Sequence, residues 1–202
     1  MMTIARQERA IFLDRDGVIN SLVWYESSGE WESPRCVADL KMVPGVAAAL
    51  RKAMQFEWKL FLVTNQPSAA KGKVSVGELA EVHETVMSRL RVDGVLITAS
   101  YICFHHPNGV VPGLTKLCDC RKPNPSRLFE AAREFQLDLG ASWMVGDQDS
   151  DLQCGRAAGC HVAMIEIPES ASKRSDVSAD LHTATLVDFI EHLTSAEVES
   201  GS

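Results

Sequence analysis

The chain has 202 residues, of which 46% are apolar and 23% charged, with a formal net charge of −7 at pH 7. This composition indicates a globular protein with one sizeable core and excludes a disordered chain. The acidic balance argues against nucleic acid or a membrane surface as partner, although a local basic pocket is compatible with it. We find no secretory signal and no membrane-length apolar run, so we expect a cytoplasmic protein with reduced cysteines.

Short apolar runs alternate with amphipathic stretches along the chain. The runs predict strands at Ala10–Leu13, Lys59–Val63, Gly94–Cys103, Ser142–Val145 and His161–Ile165. Helical spacing predicts helices at Val46–Phe56, Val76–Val92, Pro125–Phe135, Asp149–Ala158 and Thr185–Leu193. This alternation predicts an α/β fold over 1–202 as one domain, with a doubly wound, mostly parallel sheet and helices on both faces.

Four segments depart from this pattern. Residues 21–43 and 104–117 interrupt the alternation of strands and helices. A surface loop is expected at Pro168–Asp180, and a frayed polar tail at Ser195–Ser202.

Polar residues follow three of the predicted strands. Asp14 and Asp16 come after the first strand, Thr64 and Asn65 end the second, and Asp147 follows the fourth. The carboxyl ends of parallel strands meet at one edge of the sheet, where ligands of such folds bind. The functional site is therefore predicted at this edge.

The carboxylates in this crevice would be Asp14, Asp16, Asp147 and one or both of Asp149 and Asp151. Two unit charges about 4 Å apart repel by about 4 kcal/mol at an effective dielectric constant of about 20. A hard divalent cation relieves this repulsion, and oxygen ligands with open water positions suit Mg²⁺.

The same residues also indicate a type of reaction. A carboxylate beside a metal can act as a nucleophile and form an aspartyl-phosphate, and the second carboxylate, two residues on, could then protonate the leaving oxygen and later activate water. The Thr64 hydroxyl and the Lys122 ammonium would stabilise the phosphoryl oxygens. A calcium loop at DRDG is excluded, because Val18 and Ile19 occupy its next ligand positions.

Four motifs in order resemble the haloacid dehalogenase-like (HAD) phosphatases: DRDG at 14–17, the strand ending in Thr64, Lys122, and GDQDSD at 146–151. The resemblance runs from about Ala10 to Ile165 and implies a HAD-like Rossmannoid fold. No insertion is long enough for a full cap domain. By resemblance Asp14 is the nucleophile and a Mg²⁺ ligand, and Asp16 is the general acid/base that gives its backbone carbonyl to the metal. Thr64 and Lys122 hold the phosphoryl group and Asp147 binds Mg²⁺, with Asp151 fitting the family spacing better than Asp149.

A second metal site is predicted in the loop 103–120, which pairs C-x-H with C-x-C. Four nitrogen and sulfur ligands close a tetrahedral structural site, most plausibly for Zn²⁺. His106 could replace His105 as ligand, and the alternative is reduced core cysteines with incidental histidines. Such a site would fix Arg121 and Lys122 over the phosphate.

The motifs C-x-H-H-P, C-D-C-R-K-P and V-T-N-Q narrow the resemblance to the D-glycero-D-manno-heptose 1,7-bisphosphate phosphatases and the histidinol-phosphate phosphatases. The resemblance implies Cys103, His105, Cys118 and Cys120 as zinc ligands, Arg121 in contact with substrate and Asn65 beside the phosphate. We therefore expect a monomeric Mg²⁺-dependent phosphatase of a small phosphorylated metabolite, with a heptose bisphosphate first and histidinol phosphate as the alternative.

Three departures from the heptose enzymes affect the substrate rather than the reaction: a longer segment at 21–45, Pro67-Ser68, and Gln148 in place of a basic residue. Aromatic residues of the longer segment would either wall the site or pack at a loop base: Trp24, Tyr25 and Trp31. Lys71 and Lys73 would either hold a second phosphate or be solvated.

Three other functions stay open at this point. A non-enzymatic phospho-acceptor also combines acids, Thr and Lys on a parallel sheet, but its phosphorylated Asp follows a middle strand. A zinc-organised binding module would show no Mg²⁺-dependent chemistry. A polynucleotide 3′-phosphatase is disfavoured by the acidic balance and the lack of a basic aromatic groove.

Overall fold

The structure is a computed structural model that describes residues 8–175 and 177–200. The strands are β1 (Ala10–Leu13), β2 (Val23–Tyr25), β3 (Glu30–Glu32), β4 (Lys59–Asn65), β5 (Ala99–Cys103), β6 (Trp143–Gly146), β7 (His161–Ile165) and β8 (Leu181–Thr183). The α-helices are α1 (Val46–Gln55), α2 (Val76–Val92), α3 (Ser126–Phe135), α4 (Asp149–Ala158) and α5 (Leu186–Ser200). Short 3₁₀ turns lie at Val37–Asp39, Leu139–Ala141 and Pro168–Lys173.

Six of these strands form one sheet in the order β5-β4-β1-β6-β7-β8. Every neighbouring pair in it is parallel. Strand β1 lies between β4 and β6, so residues that follow these three strands converge at one edge. This arrangement confirms the predicted α/β fold with a parallel sheet.

The sheet has a core on each face. Side chains alternate along β1, so Ile11 and Leu13 join one apolar cluster while Ala10 and Phe12 join the other. The first cluster contains residues of α1, α2 and α5, and the second contains residues of α3 and α4. Burial on both faces explains why β1 has four consecutive apolar residues instead of an alternating pattern.

Most predicted elements are confirmed within a few residues, and the differences have local causes. Strand β5 begins at Ala99 rather than at Gly94, because Gly94 adopts a positive φ at the end of α2, and Val95 and Ile97 after it fill the core from a loop. The predicted tail from Ser195 is wrong as far as Ser200, since α5 continues to that residue. Residues 201 and 202 lie outside the described part.

Two features were not predicted. The segment 21–43 contains the antiparallel hairpin of β2 and β3, and Leu181–Thr183 adds β8 to the sheet edge. The expected loop at Pro168–Asp180 begins with a 3₁₀ turn, and Asp176 lies outside the described residues. The described residues form no separate cap domain, and none of their helices is long and apolar enough to cross a membrane.

Candidate active site

A cleft of about 470 Å³ lies at the carboxyl ends of the central strands. Asp14 follows β1, Asn65 ends β4 and Asp151 lies in the first turn of α4, and all three line the cleft. Lys122 reaches the same place from the loop before α3. The sheet therefore brings residues that are distant in sequence to one point, as the strand ends predicted.

The centre of the site is an ion-paired cluster. The Nζ atom of Lys122 lies 2.7 Å from Asp14 Oδ1 and 2.7 Å from Asp151 Oδ1, and it also donates to the Val63 carbonyl. Burial would lower the pKa of Lys122, but the two carboxylates outweigh burial and keep the pKa above its usual value. Lys122 is thus a permanent cation at the site.

The Asp14 carboxylate is buried and faces the cleft. Burial raises the pKa of Asp14 to about 6, with Lys122 opposing the rise and the charges of Asp151 and Asp16 adding to it. A carboxylate in this environment is poorly solvated, which favours attack on an electrophile once the group is ionised.

The Asp147 carboxylate is a candidate ligand for a cation. It is fully buried, and neither of its carboxylate oxygens has a hydrogen-bond partner among the described residues. Burial, followed by the charges of Asp14 and Asp151, raises the pKa of Asp147 well above its usual range. Oxygens of Asp14, Asp147 and Asp151 lie within 4.8 Å of one another, which is a set that suits a hard divalent cation.

The alternative acid Asp149 points elsewhere. Its Oδ2 accepts a 2.6 Å hydrogen bond from Ser175 Oγ, and it is not part of the carboxylate group around Asp147. Asp151 is held in place by Lys122 on Oδ1 and by the backbone N–H of Gln148 on Oδ2, as part of the α4 cap.

Asp16 has a different environment from Asp14, although only one residue separates them. Its carboxylate accepts hydrogen bonds from Arg15, from Asn20 Nδ2 at 2.9 Å and from Gln66 Nε2 at 2.6 Å. Burial would raise the pKa of Asp16, but the Arg15 guanidinium and these amide donors outweigh it and lower the pKa. The Asp16 side chain lies outside the carboxylate group of Asp14, Asp147 and Asp151.

The residues that hold Asp16 were not found by sequence reasoning. Arg15 is fully buried, which is unusual for arginine, and Gln66 bridges Asp16 Oδ2 and Thr64 Oγ1. The only signal available was position, because each lies within a few residues of a strand end. A fully buried arginine beside the reacting carboxylates could not be foreseen from one sequence.

Thr64 and Asn65 are consecutive residues at the end of β4, but their side chains form different hydrogen bonds. The Thr64 hydroxyl accepts from Gln66 and keeps its own hydrogen for another acceptor. The Asn65 side chain donates to the Lys122 carbonyl at 3.0 Å and accepts from the Lys122 N–H at 3.1 Å. Asn65 lines the cleft, but these bonds make it the residue that positions Lys122.

Gly17 lies directly against the Asp147 side chain. It has φ +90°, and a Cβ there would lie 2.5 Å from Asp147 Oδ2. The glycine of DRDG is therefore required twice, by its backbone conformation and by the close approach of Asp147.

The second cluster lies in the loop 103–120. Its four side chains, with ligand atoms within 4.8 Å of one another, are Cys103, His105, Cys118 and Cys120. The three sulfur atoms are 3.2, 3.4 and 3.6 Å apart, and none forms a disulfide. Tetrahedral thiolate ligands at about 2.3 Å from zinc would lie about 3.8 Å apart, slightly more than these distances, and three sulfur atoms with one histidine nitrogen are a ligand set that zinc takes.

The geometry favours His105 over His106 as the histidine of this cluster. His105 Nδ1 lies 3.4 Å from Cys120 Sγ, whereas His106 Nδ1 accepts a hydrogen bond from the Asn108 N–H. Arg121 follows the cluster directly, lines the cleft and donates to the His105 carbonyl. The loop thereby connects the cysteine cluster to the two basic residues of the site.

The hairpin of β2 and β3 stands beside the cleft. Trp24 and Trp31 line it, whereas the Tyr25 hydroxyl bonds Asp39 at 2.5 Å. Lys73 forms an ion pair with Glu32 and is not among the described residues that line the cleft, whereas Lys71 is one of them. Of the two lysines considered for a second phosphate, only Lys71 faces the cleft.

Comparison with known proteins identifies relatives of this chain. A HAD-hydrolase-like family model matches residues 119–194. The D-glycero-beta-D-manno-heptose-1,7-bisphosphate 7-phosphatase of Escherichia coli (strain K12) is 35% identical over 155 residues, 77% of this chain and 77% of the relative. The protein of the same name from Rhodopseudomonas palustris (strain ATCC BAA-98 / CGA009) is 32% identical over 159 residues, 79% of this chain and 84% of the relative.

A solved structure is also similar. The D,D-heptose 1,7-bisphosphate phosphatase of B. bronchiseptica, complexed with magnesium and phosphate, superposes with a TM-score of 0.76. It is 26% identical, and the alignment covers 93% of this chain and 99% of that one. The chain is therefore a phosphatase of the HAD-like hydrolases, in the family of the heptose-1,7-bisphosphate phosphatases.

Proposed function

We propose that this protein hydrolyses one phosphate ester of a small sugar bisphosphate, D-glycero-D-manno-heptose 1,7-bisphosphate, through a phosphorylated aspartate. The observation that carries the proposal is the buried cluster in which Lys122 joins Asp14 to Asp151 beside the unpaired Asp147. A phosphoryl group needs a nucleophile and fixed positive charge at one point, and this cluster supplies both.

Asp14 is the nucleophile in this proposal. One carboxylate oxygen of Asp14 attacks the phosphorus, the bond from phosphorus to the sugar oxygen breaks, and that oxygen takes a proton from Asp16. Water then attacks the phosphorus of the aspartyl-phosphate and gives a proton to Asp16, and release of inorganic phosphate restores Asp14. The Lys122 ammonium and the Thr64 hydroxyl face the phosphoryl oxygens throughout.

The surroundings of Asp16 define when it can act as an acid. With Arg15, Asn20 and Gln66 bound to it, the low pKa of Asp16 keeps it ionised, which suits the base step. For the acid step we infer that the dianionic phosphoryl group raises the pKa of Asp16 by repulsion, so that the proton enters with the substrate.

The two metal sites have separate roles. We propose that Mg²⁺ binds Asp14, Asp147, Asp151 and the backbone carbonyl of Asp16, which fits the orphaned oxygens of Asp147. When bound, Mg²⁺ neutralises these carboxylates and polarises a phosphoryl oxygen. We propose Zn²⁺ at Cys103, His105, Cys118 and Cys120, where four protein ligands leave no open position and the role is structural.

The substrate assignment rests on the relatives and on the basic wall of the cleft. Arg121 and Lys71 line the cleft that contains Asp14, so they are available to a second phosphate of the same molecule. The volume of about 470 Å³ suits a small phosphorylated metabolite.

The test is phosphate release, with and without Mg²⁺, from heptose 1,7-bisphosphate, histidinol phosphate, other sugar phosphates and a 3′-phosphorylated oligonucleotide. We expect Mg²⁺-dependent release with a preference for the heptose bisphosphate. The Asp14→Asn variant keeps the shape of the site and should lose turnover by at least about 10³-fold. Comparable release by that variant would contradict the proposal.

A further inference from the structure

The hairpin presents two exposed tryptophans to the catalytic cleft. Trp24 is 43% exposed and Trp31 is 37% exposed, and both line the cleft together with Asp14. They are direct partners across the hairpin, so they lie on the same face, with ring centroids 5.7 Å apart and planes at 63°. Paired, exposed indoles at the mouth of a cleft indicate a surface for a ligand.

The tryptophans are not anchored in the core. Neither belongs to the apolar clusters of the core, and the Trp24 indole N–H donates to Glu26 within the hairpin itself. The hairpin is anchored by other residues instead. Glu32 binds both Lys73 and Arg35, and the Arg35 guanidinium lies 3.9 Å from the ring centroid of Tyr25.

Charged side chains anchor the hairpin, whereas its two indoles face the cleft. Glu32 and its two cationic partners are mostly buried. Burial alone would raise the pKa of Glu32, but these partners outweigh burial and lower the pKa to about 2. A hairpin that is fixed by charge pairs can expose its indoles at little cost in mobility, so the aromatic surface is preorganised.

The walls of the cleft differ in chemistry. Lys71 and Arg121 make one part basic, while the hairpin combines the two indoles with the carboxylate of Glu30. A sugar ring offers C–H groups that pack on an indole by dispersion and hydroxyl groups that donate to a carboxylate. A phosphate would be attracted to Lys71 and Arg121 rather than to the uncharged indoles.

We propose that Trp24 and Trp31 form the surface that holds the sugar ring of the substrate and so contribute to its selection. The inference rests on the proposed function, because it names the part of the same cleft that binds the group released from phosphorus.

The experiment compares Trp24→Ala, Trp31→Ala and the double variant with the wild type. We expect KM for heptose 1,7-bisphosphate to rise about tenfold in the double variant with little change in kcat. Ethyl phosphate, which has no ring, should keep its kcat/KM in every variant. The matched control is Phe129→Ala, which removes an aromatic residue that is 49% exposed on α3 and outside the described lining of the cleft.

A second readout does not depend on turnover. Heptose bisphosphate added to the Asp14→Asn protein should change its indole fluorescence, and the double tryptophan variant in that background should lose the change. An unchanged KM for the heptose bisphosphate in the double variant, or an equal loss with ethyl phosphate, would overturn the inference alone. A wild-type enzyme that hydrolyses ethyl phosphate but not the heptose bisphosphate would remove the proposed function as well.

Discussion

At the scale of single residues, the site is made by giving two neighbouring carboxylates opposite environments. Asp14 faces other acids and one lysine, and burial raises its pKa to about 6. Asp16 is surrounded by donors, with Arg15, Asn20 and Gln66 on its oxygens, so its pKa is lowered. This difference supports the proposal that Asp14 attacks phosphorus while Asp16 transfers protons.

Gly17 gives a prediction at this scale. In Gly17→Ala the new Cβ would lie 2.5 Å from Asp147 Oδ2, so the Asp147 carboxylate must shift from its position. We expect kcat to fall by at least about 100-fold and the Mg²⁺ concentration for half-maximal activity to rise. Steady-state kinetics over a Mg²⁺ titration measures both.

The control for this variant is Gly159→Ala. Gly159 has φ +85°, close to that of Gly17, but no atom lies within 4 Å of its added Cβ. Both variants should lose about 1 kcal/mol of unfolding free energy from backbone strain, and only Gly17→Ala should lose activity. Equal activities in the two variants would contradict the role given to Gly17.

How far the sequence predicts the site differs between residues. Asp14 and Asp147 were predicted because they follow predicted strands, whereas Lys122 was predicted from the resemblance to the HAD-like phosphatases, and the structure brings all three to one cleft or cluster. The role of Asn65 in positioning Lys122 was not predicted. Its two hydrogen bonds to the Lys122 backbone depend on a contact between residues 57 positions apart. Side-chain partners of that kind cannot be read from spacing.

At the scale of elements, regular periodicity decided which predictions succeeded. Helices α2 and α4 match the predicted bounds, because caps and apolar stripes mark them: Ser75 and Glu78 form a capping box before α2. The hairpin of β2 and β3 was missed because each strand has only three residues and carries charged and aromatic side chains instead of an apolar run.

The loop 103–120 gives a prediction at this scale. In Cys120→Ser one ligand of the proposed zinc site is lost, so we expect the protein to lose its zinc and the loop to exchange its amide hydrogens faster. Lys122 lies two residues further on, so kcat should fall at least about tenfold. Metal analysis, hydrogen exchange and kinetics on the purified protein measure these effects.

Cys36→Ser is the matched control for the zinc loop. Cys36 is half-buried and lies outside the cysteine cluster, so its loss should leave zinc content and kcat as in the wild type. The account of the loop fails if Cys120→Ser keeps its full zinc content, or loses zinc with no effect on kcat.

At the scale of the whole molecule, the parallel sheet determines both stability and the place of chemistry. Its two apolar clusters bury the central strands on both faces, and the polar residues are left to the carboxyl ends. One buried histidine departs from this division. His83 on α2 is buried, contacts Ser100 Oγ at 3.0 Å, and has a pKa lowered from 6.5 to about 4 by burial and then by Arg15.

This histidine predicts how stability depends on pH. Between pH 6.5 and about 4 the unfolded chain binds a proton on His83 that the folded chain does not, so stability is present above pH 6.5 and is lost as the pH falls. We expect His83→Gln to lose about 2 kcal/mol less unfolding free energy than the wild type between pH 7 and pH 5. Urea unfolding at the two pH values measures this.

His192→Gln, at an exposed position on α5, is the control for this prediction and should keep the wild-type dependence on pH. The same loss of stability in His83→Gln and in the wild type would show that His83 does not carry the effect.

The central claim is that the phosphoryl group passes through Asp14. The most direct measurement is rapid acid quenching of the wild-type enzyme during turnover of a substrate labelled in its phosphate, followed by mapping of the labelled peptide. The account predicts an acyl-phosphate on the peptide that contains Asp14, and no label in Asp14→Asn. Label on another residue, or continued turnover by Asp14→Asn, would contradict it.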